Sequence, residues 1–192
     1  MTLQRGFKAQ AERIAADVRN ELGLTLDDRL DPLELAQHLS IPVLSLSMLP
    51  DVTPGIEGIT DAAAYLHRAE RGALSAVTVF CGTARAIVNN DAHSPARQAS
   101  NLSHELAHGL LLHPPTPALD LRGCRLWNQD IEDEADWLGA TLLIPGPAAR
   151  AAARQRLSHE QIAYKFGCSI EMARWRMNMT GALRILTPQT RA

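Results

Sequence analysis

Two long stretches with good helix formers, each ended by prolines, constrain the fold more than any other feature of the sequence. The first covers residues 94–113, begins with a serine-proline pair typical of a helix start, and ends at Pro114-Pro115. The second covers residues 131–144 and is stopped by a proline-glycine-proline run at 145–147. The sequence therefore predicts two long helices joined by a proline-rich loop.

The first of these helices carries His104-Glu105-Leu106-Ala107-His108, an HExxH pattern. Four residues advance about 400° on a helix with 3.6 residues per turn, so both imidazoles project from one face and can hold one zinc ion. Glu105 points about 100° away, which suits a base that contacts the metal's water rather than the metal. By itself the pattern is also compatible with two incidental surface histidines.

The second helix offers a third ligand. A catalytic zinc ion takes three protein ligands, and His, His and Glu form one established set. Glu132 and Asp136 lie four residues apart on one face, so Asp136 can accept a hydrogen bond from the outer nitrogen of a ligating histidine. Glu134 is the second candidate, but Leu138 stands one turn further on. The pattern favours Glu132 over Glu134, and the non-catalytic interpretation is a solvated acidic first turn.

Other polar residues near the two helices are less determined. His113 does not complete the longer zinc motif with a third histidine, since that motif requires glycine at 111 and histidine at 114, where this chain has leucine and proline. We expect His113 to be exposed or to be an outer partner of the site. The donor that stabilises an oxyanion is not identified, and its candidates are Tyr65, His67, His93 and Tyr164.

The run SPARQASNLSHELAHGLLLHP, followed by IEDEADWLGATLLIP, resembles the ImmA/IrrE family of metallo-endopeptidases. The shared features are a helix bearing HExxH and a second helix with the pattern ExEA(N/D) that ends in an apolar run and proline. The resemblance implies a thermolysin-like zinc peptidase core with one Zn²⁺ per chain, bound by His104, His108 and Glu132, and with Glu105 as the catalytic glutamate. Asp136 stands where many members have asparagine, and either side chain can accept the hydrogen bond.

The resemblance also implies a substrate. Characterised members inactivate repressors of the helix-turn-helix type by cleavage, in stress response or in the induction of mobile elements. The expected function is therefore hydrolysis of a peptide bond in a protein, such as a transcriptional repressor. The alternative is a non-catalytic regulatory module that binds DNA or a partner protein through its C-terminal segment.

Charge and cysteine content limit the partners and the cellular compartment that we expect for the protein. The net charge of −2 excludes a strongly basic chain that binds nucleic acid through its overall charge. The three cysteines form no CxxC pair, so we expect reduced thiols and no disulfide framework. The N-terminus carries charges where a signal peptide needs an apolar stretch, and no run of about 18 apolar residues occurs. We expect a cytoplasmic protein that does not associate with a membrane.

The expected fold is α+β: a mainly helical, zincin-like core with a small antiparallel sheet and a C-terminal helical segment. Residues 41–46 read as a strand, and residues 76–81 and 85–89 read as a hairpin. Residues 48–58 read as a loop, and residues 60–70 as a short helix. We assign residues 1–147 to the metallopeptidase domain and residues 148–192 to a basic segment packed on it.

The basic segment resembles a helix-turn-helix. Residues 157–181 contain an apolar helix face, a turn glycine at Gly167 and a second helix capped by Ser169 that carries Arg174 and Arg176. From Ala148 onward the chain has eight basic and two acidic side chains, a net charge of +6. Direct DNA binding is the less favoured role, because a lone motif in an acidic chain makes few phosphate contacts. The other role for this surface is recognition of a protein substrate.

Overall fold

The computed structural model describes residues 3–53, 55, 60–61, 63–64, 74–82, 84–114 and 128–183. In these residues the chain is α+β and mostly helical. The strands are β1 (Val43–Ser45), β2 (Ala76–Cys81) and β3 (Ala84–Asn89). The helices are α1 (Phe7–Glu21), α2 (Pro32–His38), α3 (Leu49–Val52), α4 (Pro95–Leu110), α5 (Gln129–Leu143), α6 (Gly146–Arg154), α7 (His159–Phe166) and α8 (Ile170–Met179).

The three strands form one mixed sheet in the order β1-β3-β2. β2 and β3 make the expected antiparallel hairpin, in which Ala76 pairs with Asn89 and Cys81 with Ala84. β1 runs parallel to β3, with Val43 opposite Ile87. The expectation of an antiparallel sheet is therefore wrong for β1. A long connection separates β1 from the hairpin, which leaves room for the crossover that a parallel pair requires.

The segment from 48 to 58, read as loop, contains helical structure in its described part. A 3-10 turn covers Leu46–Met48, and α3 follows directly. Pro50 occupies the first turn of α3, where a proline costs no backbone hydrogen bond. The loop prediction took this proline as a breaker. The helix expected over residues 60–70 lies mostly outside the described residues.

The hydrophobic core is built around α4 and α5. Ser94 caps α4 by accepting a hydrogen bond from the Arg97 amide, and Asn128 caps α5 in the same way. Leu106 of α4 and Leu138 of α5 are fully buried. The C-terminal helices share this core, because Phe166 of α7 and Met177 of α8 belong to the same cluster. Among the described residues, every helix is too short or too polar to cross a lipid bilayer.

Two buried arginines hold the C-terminal end of α5. Arg19 of α1 donates to the carbonyls of Leu142 and Leu143 at 2.9 and 3.1 Å. Arg176 of α8 donates to the carbonyl of Ile144 at 2.9 Å. These carbonyls belong to the last turn of a helix, where no intrahelical donor is available. The guanidinium groups satisfy them and place positive charge at the negative end of the helix dipole.

Glu12, on α1, ties two further elements to its own helix. Its carboxylate accepts a hydrogen bond from Arg176 at 2.5 Å and another from the Gly146 amide, at the start of α6, at 2.9 Å. Burial lowers the pKa of Arg176, while the charge of Glu12 opposes that effect. The ion pair therefore joins α1, α6 and α8 in one network.

Candidate metal centre

The two histidines of the HExxH pattern meet a carboxylate of α5 at the crossing of the two long helices. His104 Nε2 lies 3.1 Å from His108 Nε2 and 3.3 Å from Glu132 Oε2, and His108 Nε2 lies 3.8 Å from the same oxygen. Two atoms that each lie about 2.1 Å from one tetrahedral ion are about 3.4 Å apart. These three ligand atoms, two nitrogens and one oxygen, form a donor triangle whose dimensions therefore fit a zinc ion. The three side chains are 19–23% exposed, so one side faces solvent.

The charges around the triangle favour a cation. Burial alone would lower the pKa of His104, but its hydrogen bonds to Asp136 and Glu132 and the charge of Glu105 outweigh that effect and raise the pKa to about 10. Hydrogen bonds to His104 and His108 hold the pKa of Glu132 well below its usual range. Three carboxylates thus stabilise positive charge at one point. A metal ion that binds there replaces a proton on His104.

Asp136 lies behind His104, one turn along α5 from Glu132. Its Oδ1 atom is 2.8 Å from His104 Nδ1, so the carboxylate accepts the proton of the outer ring nitrogen. This contact fixes the ring with Nε2 directed at the other two donors. The spacing of four residues on one helix face produces both contacts.

We expect Asp136→Ala to weaken zinc affinity about 10- to 100-fold, because loss of a hydrogen-bond partner of a ligating histidine typically weakens metal affinity by about that factor. Asp136→Asn should retain most of the affinity, since its amide oxygen can still accept from His104 Nδ1. Competition with a chromophoric chelator measures both constants. Equal losses in the two variants would contradict this role for the hydrogen bond.

His113 and Glu134 form an outer pair behind His108. His113 Nδ1 lies 2.9 Å from His108 Nδ1, and His113 Nε2 lies 3.3 Å from Glu134 Oε2. His113 is 9% exposed, so it is an outer partner of the site rather than a surface residue. Burial and the nearby His108 lower its pKa, which Glu134 partly opposes. Glu134, the second candidate for the third ligand, therefore faces His113.

The end of α4 turns His113 back towards His108. Leu112 adopts φ 54°, and the His113 amide donates to the His108 carbonyl at 3.0 Å. A left-handed residue at this position is typical of helix ends, but it is usually glycine. The leucine costs about 1–2 kcal/mol in backbone conformation. The residues at positions 111 and 114, which exclude the longer zinc motif, do not indicate this turn.

Glu105 has a partner that the sequence did not indicate. Thr78 Oγ1, on β2, donates to Glu105 Oε2 at 2.6 Å. α4 packs against β2, and the alternation of side chains along a strand directs Thr78 towards the helix. The contact joins residues that are distant in sequence, so no local spacing could have shown it.

The oxyanion candidates remain unassigned. Tyr65 and His67 lie outside the described residues. His93 Nδ1 is 3.4 Å from the Asn101 amide nitrogen, and burial lowers the pKa of His93. Tyr164 is 89% exposed on α7. None of these contacts ties either of the two described candidates to the donor triangle.

The helix-turn-helix geometry is present, but its basic residues differ in accessibility. α7 and α8 are joined through Gly167, which adopts φ 67°, and Ser169 caps α8. Arg174 is exposed, whereas Arg176 is fully buried beneath the helix and bound to Glu12. Only one of the two arginines on the predicted recognition helix can therefore reach a phosphate.

Gly139 sets the distance between α4 and α5 at the site. A Cβ atom on Gly139 would lie 3.0 Å from the backbone nitrogen of His104 and 3.0 Å from the carbonyl oxygen of Ser103. Both contacts are with main-chain atoms, so the helices would have to separate. The glycine thus allows the close crossing that brings Glu132 and Asp136 to His104.

We expect Gly139→Ala to weaken zinc affinity about tenfold, because ligand geometry must be held within about 0.5 Å. Gly109→Ala is the matched control, since its Cβ would meet only movable side-chain ends of Arg85 and Ile41. Both changes improve helix propensity by about 1 kcal/mol. Equal zinc affinity in the two variants, measured by chelator competition, would show that the crossing distance does not limit binding.

Residues 57–178 match the family model for peptidase M78, described as the IrrE N-terminal-like domain. The match covers more than half of the chain and includes β2, β3 and every residue of the donor triangle. Comparison with curated proteins and with solved structures gives no significant match.

Proposed function

The chain belongs to the IrrE N-terminal-like family of metallopeptidases, and on that premise we propose that it is a zinc-dependent endopeptidase with its catalytic centre at the crossing of α4 and α5. One observation carries the proposal: His104, His108 and Glu132 bring their ligand atoms within 4.8 Å of one another. This is the ligand set of an open catalytic zinc site rather than a closed structural one. We propose Zn²⁺, one per chain, as the ion.

A zinc ion held there would polarise the scissile carbonyl and lower the pKa of a bound water molecule to about 7. The protein supplies the remaining steps. Glu105, which follows His104 directly and is not one of the three converging donors, accepts the proton of the attacking water. The same carboxyl group then donates that proton to the nitrogen of the leaving amine, so the peptide bond breaks and Glu105 is restored.

Thr78 is the positioning residue for Glu105. Its hydroxyl holds one carboxylate oxygen at 2.6 Å, which directs the other oxygen at the water. Replacement by valine keeps the shape of the side chain and removes the donor. A hydrogen bond to a charged group contributes about 1.5–3 kcal/mol. We expect loss of this hydrogen bond to raise the activation free energy of cleavage by part of that amount.

We expect Thr78→Val to lower kcat about tenfold with little change in KM, because the contact orients the base and does not bind the substrate. Thr78→Ser should recover most of the loss, since serine restores the hydroxyl. Steady-state kinetics on one peptide substrate measures both values. A change confined to KM, or no recovery by serine, would contradict this role.

The edge of the sheet offers a place for the peptide. In the described part of the chain, β2 pairs with β3 on one side and lies at the sheet edge on the other. An extended peptide can add to such an edge through main-chain hydrogen bonds, which bind it largely independently of sequence. Because Thr78 of β2 contacts Glu105, a peptide along this edge would pass the catalytic group.

We propose a protein substrate, a helix-turn-helix transcriptional repressor in the cytoplasm, whose cleavage relieves repression during stress or mobile-element induction. The family resemblance supports this choice of substrate. The alternative function is a non-catalytic module that binds DNA or a partner protein through the C-terminal segment, and the burial of Arg176 weakens the case for DNA.

Co-incubation of the zinc-loaded protein with a small helix-turn-helix repressor, chosen from the adjacent reading frames where one encodes such a protein, tests the proposal. We expect discrete cleavage products that disappear with a chelator and return on addition of zinc. A repressor that stays intact, yet releases its operator DNA when the protein is present, would replace peptidase action by binding.

A further inference from the structure

A cavity of about 850 Å³ adjoins the metal centre. It lies between the N-terminal half of α4 and the beginning of α8, and His104 and Asp136 form part of its wall. Its volume is within the range of sites that bind small ligands. His104 thus faces the donor triangle through one nitrogen and borders this cavity as well.

The wall on the α8 side is mainly apolar. Ile170, Met172 and Trp175 line it, and Trp175 is held by an edge-on contact with Trp137 at 5.7 Å between ring centroids. Cys168 adds a neutral group, because burial raises the pKa of its thiol to about 12. These side chains offer apolar surface beside a polar catalytic centre.

The polar residues of the cavity are largely engaged with the protein itself. Ser100 accepts a hydrogen bond from the Ser169 amide at 3.1 Å, and Asp136 is bound to His104. Arg97 and Glu171 also line the cavity and carry opposite charges, so the walls favour neither sign of ligand. The chemistry that remains for a ligand is apolar contact.

We propose that this cavity is the specificity pocket of the peptidase and that it receives a large apolar side chain next to the cleaved bond. The inference rests on the proposed function and deepens it. One residue of extended chain spans about 3.3–3.6 Å, so a side chain beside the scissile bond can reach a wall that His104 shares. The turn of the helix-turn-helix segment and the beginning of its second helix, α8, then serve substrate selection.

A binding experiment tests the pocket without cleavage. The Glu105→Gln protein is titrated with acetyl-Gly-X-Gly-amide, where X is Leu, Phe, Gly or Glu, and the Trp175 indole N–H signal is followed by NMR. We expect saturable shifts at Trp175 with Leu and Phe, and at least tenfold weaker binding with Gly and Glu, since apolar contact supplies the affinity. Equal or tighter binding of Gly or Glu overturns the proposal.

A cleavage experiment uses the zinc-loaded wild type and a proteome-derived peptide mixture, with products identified by mass spectrometry. We expect large apolar residues to be enriched at one position beside the cut. Ala96→Phe narrows the cavity and should lower kcat/KM for Phe-containing sites relative to Ala-containing sites at least tenfold. Ile170→Ala should broaden the preference towards bulkier side chains.

Met179→Ala is the matched control, because Met179 lies on the same helix outside the cavity and is 36% exposed, against 39% for Ile170. Circular dichroism and thermal unfolding confirm that each variant is folded. Chelator-sensitive cleavage without an apolar preference overturns the proposed specificity pocket but supports the proposed peptidase activity. If apolar peptides bind at Trp175 but the wild type cleaves no peptide, the apolar pocket is supported and the proposed peptidase activity is overturned.

Discussion

Glu105→Gln is expected to lower kcat for peptide cleavage about 10²- to 10⁴-fold, which is the usual contribution of a general acid–base group. Glutamine has nearly the same shape and can still meet the Thr78 hydroxyl, but it cannot accept the proton of the attacking water. The loss should appear equally in kcat and kcat/KM, because the proton transfer takes place only in the transition state.

The same variant should keep its zinc and its thermal stability, because Glu105 is not among the three converging donors. Glu34→Gln, an exposed site on α2, is the control for loss of one carboxylate. Zinc content by atomic emission and unfolding temperature by calorimetry accompany the kinetics. A variant that inactivates its target as well as wild type does would exclude Glu105 as the base.

Glu132→Ala is expected to weaken zinc binding more than about 100-fold, beyond what loss of an outer partner costs. The change removes one of three ligands and leaves two histidines one turn apart. Glu134→Ala should cost at most about 10- to 100-fold, since Glu134 lies behind His113 at 3.3 Å and acts on His108 through it.

Thermal shift gives a second measure of this difference. Zinc at 100 times the wild-type dissociation constant stabilises the folded protein by about 2.7 kcal/mol. At the same zinc concentration the gain should fall below about 0.4 kcal/mol in Glu132→Ala, whose affinity is more than 100-fold weaker, and should lie between about 0.4 and 2.7 kcal/mol in Glu134→Ala. Zinc retained by Glu132→Ala and lost by Glu134→Ala would reverse the ligand assignment.

Local spacing predicted the parts of the site that lie on one helix. The two histidines, and the pair Glu132 and Asp136, each depend on the rise and twist of a single element, so their common face follows from the sequence. The helix start predicted at Ser94 also depends on residues close in sequence, and Ser94 accepts the hydrogen bond of an N-cap from the Arg97 amide.

Contacts between distant elements were not predictable in this way. The hydrogen bond from Thr78 to Glu105 depends on how α4 packs on the sheet, and the direction of β1 depends on a long connection. The charge count of the C-terminal segment treated Arg176 as a surface cation. Its burial requires a carboxylate, Glu12, supplied by the far end of the chain.

The family match begins at residue 57, but the folding unit begins earlier. Without α1, two carbonyls at the end of α5 and the guanidinium of Arg176 would lose groups that satisfy them, and a buried polar group left without a partner costs about 1–3 kcal/mol. α5 also carries Glu132. The boundary at which sequence similarity becomes detectable is thus not a place where this protein can be divided. The first helix supports the helix that carries Glu132, although none of the three converging donors lies on it.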